Sequence, residues 1–167
     1  LPPSFLLYLG RIDKNKGCQA LFDYFVEYAA ERPDAHLVLA GPSTLPIPAH
    51  PQIHELGYVS DAVRQALLAQ ARALVVPSRY ESLSIVLLEA WNHGLPALVN
   101  AHCSVLQGQV RRANGGLHFR TAREFAEGAD LLLRNEPVRA ALGRQGLAYV
   151  EREYRWPTVL GRLEALL

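Results

Sequence analysis

The sequence offers little for covalent cross-linking, secretion or membrane insertion. Its two cysteines, Cys18 and Cys103, are far apart and form no Cys-x-x-Cys motif, so we expect reduced, partly buried thiols rather than a disulfide. No apolar stretch approaches the ~20 residues that span a bilayer. The first residues also lack the basic leader and the cleavage site of a signal peptide. We therefore predict a cytoplasmic protein.

An excess of either charge is also missing. The formal net charge is +1 and no run of like charges forms a tail, which disfavours nucleic acid and anionic membrane surfaces as partners. Half of the residues are hydrophobic and 20% are charged, as in globular domains. The length predicts a single domain over 1–167. Because the chain begins at Leu1 and two prolines without a methionine, we interpret it as part of a longer protein.

Lysine is scarce, and its placement is informative. Lys14 and Lys16 both lie in the segment YLGRIDKNKG (8–17), whereas the other fifteen of the 17 basic residues are arginines. A chain that otherwise avoids lysine has little compositional reason to place two here. The segment is therefore a candidate for function.

Short apolar runs alternate with amphipathic helical stretches along the chain. Because the strands are apolar throughout, the pattern predicts an α/β fold: a three-layer α/β/α Rossmann-like domain with a parallel sheet of about six strands. The predicted strands are 5–10, 35–41, 53–57, 73–78, 96–100 and 115–119, and the predicted helices are 17–32, 60–71, 82–93, 121–134, 137–152 and 157–167.

Open parallel sheets bind ligands beyond the carboxyl ends of their strands. In the first such segment, Gly10 closes the strand, Arg11 and Lys16 follow, and Gly17 precedes a helix. A helix N-terminus offers free N–H groups and a positive dipole end, and the arginine fork with the mobile lysine charge suits a diphosphate. The alternative is a solvated turn. Neither GxxxxGK[ST] nor GxGxxG is present.

Two acidic residues follow the fourth strand. If Glu81 and Glu89 lie on one helix, their eight steps span about 12 Å, too far for the carboxylate pair of a retaining glycosidase. We expect them instead to hold different parts of one extended ligand. Two structural alternatives remain open: Ser78 and Glu81 form a capping box, or Glu89 pairs with His93 or with an arginine elsewhere.

Other chemistry finds little support. His50 and His54 are four residues apart, but Pro51 prevents a helix from presenting them together, so we predict no metal site. No G-x-S-x-G elbow or other nucleophile motif is present.

Taken in order, several segments resemble the carboxyl-terminal, donor-binding half of family 4 retaining glycosyltransferases, part of the group 1 glycosyltransferases, which have the two-domain GT-B fold. The resemblance is close over about 5–120. It rests on YLGRIDKNKG, LVLAG, IHELGYVSD, the Glu-seven-Glu element after VPS, and EYRW.

The resemblance implies a role for each matching residue. Arg11 and Lys16 would hold the diphosphate of a UDP-, GDP- or ADP-linked sugar, with Gly10 in the same loop. Glu81 would contact sugar hydroxyls, and Glu89 would accept from the ribose hydroxyls. The segment with Tyr58 and Val59 would flank the base, and the backbone N–H groups of Leu83, Ser84 and Ile85 would face the sugar and distal phosphate. Transfer would proceed with retention and without an obligatory metal ion or other cofactor.

The chain also departs from the family. Leu83-Ser84 stands where the family has Phe-Gly, and NAHCSVLQGQ replaces its Gly-Gly loop after the fifth strand. The acceptor-binding half is missing, so we expect donor binding without turnover, and membrane association only through that half. The helix at 157–167 would cross back to it, leaving an apolar patch exposed. A nucleotide-sugar epimerase and a non-catalytic nucleotide- or protein-binding module remain alternatives.

Overall fold

A computed structural model describes residues 1–166. Its centre is a six-stranded, all-parallel sheet in the order β3-β2-β1-β4-β5-β6. The strands are β1 (Leu6–Leu9), β2 (Leu37–Ala40), β3 (Ile53–Gly57), β4 (Ala73–Val76), β5 (Ala97–Asn100) and β6 (Gly116–Phe119). The predicted Rossmann-like α/β class is confirmed, since all six expected strands form and pair in parallel.

Helices cover both faces of the sheet. In the described part of the chain they are α1 (Cys18–Glu31), α2 (Asp61–Gln70), α3 (Ile85–Asn92), α4 (Ser104–Ala113), α5 (Ala122–Arg134), α6 (Glu136–Glu153) and α7 (Trp156–Glu164). Two expectations were wrong. The third helix begins at Ile85 rather than near Ser82, and the segment treated as a loop after the fifth strand contains α4. Helix α4 forms because Leu106, Val110 and Ala113 share a buried face at helical spacing.

Alternate residues of each central strand enter two separate cores. On β1, Leu7 belongs to the core under α3 and α6, whereas Leu6 belongs to the core under α1 and α5. Both side chains are fully buried, and burying a leucine contributes about 1.5–3 kcal/mol. The register sets Leu9 against Ala40. The chain therefore leaves these strands at the same edge of the sheet, where the candidate segments lie.

Helix α3, which carries Glu89, is held by a tryptophan packed against glycines. Trp91 is fully buried, and its Nε1 donates to the Gly115 carbonyl at 2.7 Å. Helix α6 passes so close that a Cβ at Gly146 would lie 2.4 Å from Trp91 Cδ1. Glycine is needed at this crossing because the indole has no room to move.

The last helix has no buried face. On α7, Trp156 is 74% exposed and Leu163 is 55% exposed. The expected exposed apolar patch is thus confirmed, while Leu167 of the predicted helix lies outside the described residues. Within residues 1–166, every helix is too short or too polar to cross a lipid bilayer.

We predict that Gly146→Ala destabilises the fold. The added methyl group overpacks the Trp91 contact, which costs about 1–3 kcal/mol, or a fall in melting temperature of roughly 2–12 °C for a chain of this size. Thermal unfolding followed by circular dichroism measures the change.

The matched control is Gly161→Ala on exposed α7, where a Cβ would meet nothing within 4 Å. Alanine favours helix there, so the melting temperature should stay unchanged or rise slightly. Equal melting temperatures for the two variants would contradict the tight crossing of α3 and α6.

Candidate functional site

Backbone hydrogen bonds join the loops at the carboxyl ends of three neighbouring strands. The N–H of Gly10 donates to Ala40 O at 3.0 Å, and the N–H of Gly41 donates to Gly57 O at 2.7 Å. Gly41 has φ +143°, and a Cβ there would lie 2.0 Å from Gly10 O, so glycine permits this approach. The loops after β1, β2 and β3 therefore form one connected surface.

The start of α1 is pressed onto the loop after β4. Gly17 has φ +75°, and a Cβ there would lie 2.3 Å from the Pro77 carbonyl oxygen. Ser78 Oγ donates to the Lys16 carbonyl at 3.4 Å. Lys16 is thereby placed beside the segment that carries Glu81, although 65 residues separate the two in sequence.

Asp13 organises the predicted diphosphate loop, and our sequence reasoning missed it. Its Oδ1 accepts from the Lys16 backbone N–H at 2.8 Å, and its Oδ2 pairs with Arg11 Nε. The Lys16 N–H, followed by the Arg11 side chain, holds the pKa of Asp13 below its usual value. Aspartate side chains commonly accept hydrogen bonds from nearby backbone N–H groups in turns and just before helices. The position of Asp13 shortly before the start of α1 is therefore the signal that identifies its role.

Lys16 and Glu81 form an ion pair, with Lys16 Nζ 2.8 Å from Glu81 Oε1. Glu81 lies in an irregular segment before α3, so the capping-box alternative is wrong. Ser78 and Glu81 make hydrogen bonds to Lys16 in the loop after β1, and the helix begins only at Ile85. The helix arithmetic for Glu81 and Glu89 consequently does not apply, but the two carboxylates do line different cavities.

Glu89 pairs with Arg64, a residue of α2 that the sequence did not single out. Arg64 Nη2 donates to Glu89 Oε2, and both side chains are about two-thirds buried. Of the alternatives considered, an arginine from elsewhere is confirmed and His93 is wrong, because His93 Nε2 lies 2.6 Å from Gln65 Oε1 instead.

The start of α3 is tied to α4. Ser84 is buried, and its N–H donates a long hydrogen bond of 3.4 Å to Gln109 Oε1. Ser84 Oγ and Gln109 Nε2 are buried without a partner among residues 1–166. One of the three N–H groups assigned to the ligand is therefore directed at a protein side chain.

Two adjoining cavities contain all ten predicted site residues. A cavity of about 440 Å³ is lined by residues that include Gly10, Arg11, Tyr58, Val59, Ile85 and Glu89. A neighbouring cavity of about 280 Å³ is lined by residues that include Gly10, Lys16, Glu81, Leu83, Ser84 and Ile85. The fold thus brings the predicted residues together, while the role of each stays a prediction.

The cations of these cavities each face a carboxylate. Arg11 pairs with Asp13, Lys16 with Glu81, and Arg64 with Glu89. An anionic ligand would therefore have to replace Asp13 as the partner of Arg11 and Glu81 as the partner of Lys16. The arrangement suits an elongated ligand with an anionic middle and hydroxyl groups on both sides of it.

Histidines and cysteines lie outside this arrangement. His54 Nε2 is 3.0 Å from His36 Nδ1, where β2 and β3 begin, at the far edge of the sheet. Within residues 1–166 no three His, Cys, Asp or Glu side chains form a group that could hold a metal. Cys18 and Cys103 are free thiols, as expected, but both are fully rather than partly buried, and burial raises the pKa of Cys18.

Comparison with known proteins gives consistent matches. The family described as "Glycosyl transferases group 1" matches residues 2–148. A D-inositol 3-phosphate glycosyltransferase of Corynebacterium aurimucosum is 29% identical over 98% of this chain and 42% of its own length. The chain thus spans less than half of that relative.

Solved structures share the fold. The carboxyl-terminal domain of a group 1 family glycosyl transferase from Francisella tularensis has a TM-score of 0.75 and 18% identity, over 91% of this chain and 86% of that one. HepE of Anabaena, solved with UDP-glucose, has a TM-score of 0.80 and 16% identity, over 97% of this chain and 48% of its own.

We predict that Asp13 keeps its charge to unusually low pH. Because its pKa is lower in the folded state, its stabilising contribution is present above the unfolded value of about 3.9 and is lost as pH falls through the folded pKa. An NMR titration of the Lys16 amide should show a midpoint below that value. Arg11→Ala should raise the midpoint only partway, since the backbone N–H contributes most.

The control is Asp34→Asn, in an exposed ion pair with Arg134, which should leave this midpoint unchanged. A midpoint at or above the usual aspartate value would contradict the role given to Asp13.

Proposed function

The chain belongs to the group 1 glycosyl transferases, and from that premise we propose that it is the donor-binding half of a GT-B enzyme that uses a nucleotide-diphospho sugar. The observation that carries the proposal is the pair of adjoining cavities, which share Gly10 and Ile85 in their linings: Arg11 and Glu89 line the larger one, and Lys16 and Glu81 line the smaller one. HepE, a protein of the same fold, was solved with UDP-glucose.

The diphosphate would lie against Arg11 and Lys16. Lys16 Nζ donates to Glu81 Oε1 in the lining of the smaller cavity, and Arg11 lines the larger one. Two cations at the leaving group stabilise the charge that develops as the glycosidic bond breaks. We propose that they supply this charge without an obligatory metal ion.

The nucleoside would occupy the larger cavity. Glu89 lines it and would accept from the ribose hydroxyls, while Tyr58, which is 85% exposed, and Val59 lie where a base could be flanked. The sugar would then lie on the opposite side of the diphosphate, close to Glu81. The nucleoside would thus occupy the larger cavity and the sugar the smaller one, with the diphosphate between them.

Transfer would proceed with retention. The bond between the anomeric carbon and the diphosphate oxygen breaks, and its electron pair leaves with the diphosphate. The acceptor hydroxyl attacks from the same face and gives its proton to the departing phosphate oxygen. Glu81 would orient the sugar through its hydroxyls, and Lys16 would stabilise the leaving group.

The acceptor would bind to a part of the enzyme outside this chain. The chain covers 42% of its curated relative and 48% of HepE. We propose that the exposed apolar residues of α7 pack against that other half. Donor binding, rather than turnover, is accordingly the activity to measure here.

We predict that Lys16→Ala weakens binding of a nucleoside diphosphate about tenfold or more, because a hydrogen bond to a charged group is lost. Calorimetric titration with UDP, GDP and ADP identifies the preferred base. The matching nucleoside, which has no phosphate, should bind equally to both forms of the protein.

The control is Lys14→Ala, the other lysine, which is exposed in the same loop. It should change the dissociation constant less than threefold, since Lys14 lines neither of the two cavities. Equal effects of the two substitutions would show general charge attraction rather than a defined diphosphate site.

A further inference from the structure

We propose that Arg64 is a positioning residue: it orients the Glu89 carboxylate toward the ribose of the nucleotide. The inference rests on the proposed function, because it assigns the nucleoside to the larger cavity. The contact that carries it is the bond from Arg64 Nη2 to Glu89 Oε2, which joins α2 to α3 at the wall of that cavity.

The pair is more than a surface contact. The side chains of Arg64 and Glu89 are 32% and 29% exposed, so solvent screens them less than a typical exposed pair. The Nη1 of Arg64 also lies 3.8 Å from Asp61 Oδ1, but the Asp61 side chain is 96% exposed, so this contact adds little. Glu89 is therefore the main partner of the guanidinium.

Glu89 depends on this partner. Ile85 and Val86, one turn before it on α3, are apolar and line the same cavity. Helix α3 itself carries no basic side chain, and the ring of His93, which caps its C-terminus, contacts Gln65 instead. A partly buried carboxylate with no cation would be poorly compensated and free to change rotamer.

The two oxygens of the Glu89 carboxylate would have different partners. Arg64 contacts Oε2, so Oε1 is the oxygen left to accept from a ribose hydroxyl. Arginine suits this role because its planar fork fixes the direction of the carboxylate, whereas lysine would supply only charge. Helix α2 also begins shortly after Tyr58 and Val59, so Arg64 links the segment beside the base to the residue beside the ribose.

The experiment compares ribonucleotides with their deoxy forms. Dissociation constants are measured for UDP, GDP and ADP and for the 2′-deoxy and 3′-deoxy counterpart of each. The natural protein should prefer the ribose form over at least one deoxy form by about tenfold or more, the value of one hydrogen bond to a charged group.

Arg64→Ala should abolish this preference while changing the affinity for the deoxy form less than threefold. Glu89→Ala should do the same. The double variant should show the same ratio of dissociation constants as either single variant, since both residues act through one contact. Arg64→Lys should keep the affinity for the deoxy form and lose most of the preference. Arg123→Ala, which removes an exposed ion pair with Glu127 on α5, should leave all values unchanged.

Three results would overturn the proposal. Arg64→Ala could weaken ribose and deoxy forms equally, which would make Arg64 a fold contact only. The preference could survive in Arg64→Ala, or Arg64→Lys could behave like the natural protein, so that charge alone suffices. A natural protein that binds diphosphates without ribose preference refutes this inference alone, whereas one that binds none of the three refutes the proposed function as well.

Discussion

The ion pair between Lys16 and Glu81 is the interaction on which the site depends. It joins the loop after β1 to the loop after β4, and these two strands are neighbours in the sheet although their residues are far apart in sequence. The pair can form because Gly17 lets the start of α1 approach the Pro77 carbonyl. A side chain at that glycine would push the two loops apart, and with them the two residues proposed to contact the diphosphate and the sugar of the donor.

The same principle recurs with Arg11 and Asp13 and with Arg64 and Glu89. Each cation already has a carboxylate partner before a ligand arrives, so part of its side-chain entropy has been lost before binding. The cost is that an anion must compete with a carboxylate. Competition of this kind favours ligands with more than one negative charge, because a diphosphate can engage Lys16 and Arg11 together.

The sheet and the position of the candidate site could be predicted from the sequence, because both depend on patterns within short segments of the chain. Six apolar runs predicted six strands, and the rule for carboxyl ends located the loops. The start of α3 was misplaced because residues 77–84 are bonded to other loops rather than to one another. Helix α4 was missed because Gly108 and two glutamines obscure its apolar face. The Arg64–Glu89 pair joins two helices, and no spacing along the chain encodes such a contact.

The central claim is that a nucleoside diphosphate binds across the carboxyl edge of the sheet. The most direct measurement is an NMR map of backbone amide shifts during titration with UDP, GDP or ADP. We expect the largest changes at Gly10, Lys16, Val59 and Glu89, with little change at His36 and His54 on the opposite edge. Saturable shifts centred on His36 and His54, with the amides of Lys16 and Glu89 unmoved, would contradict the proposed site.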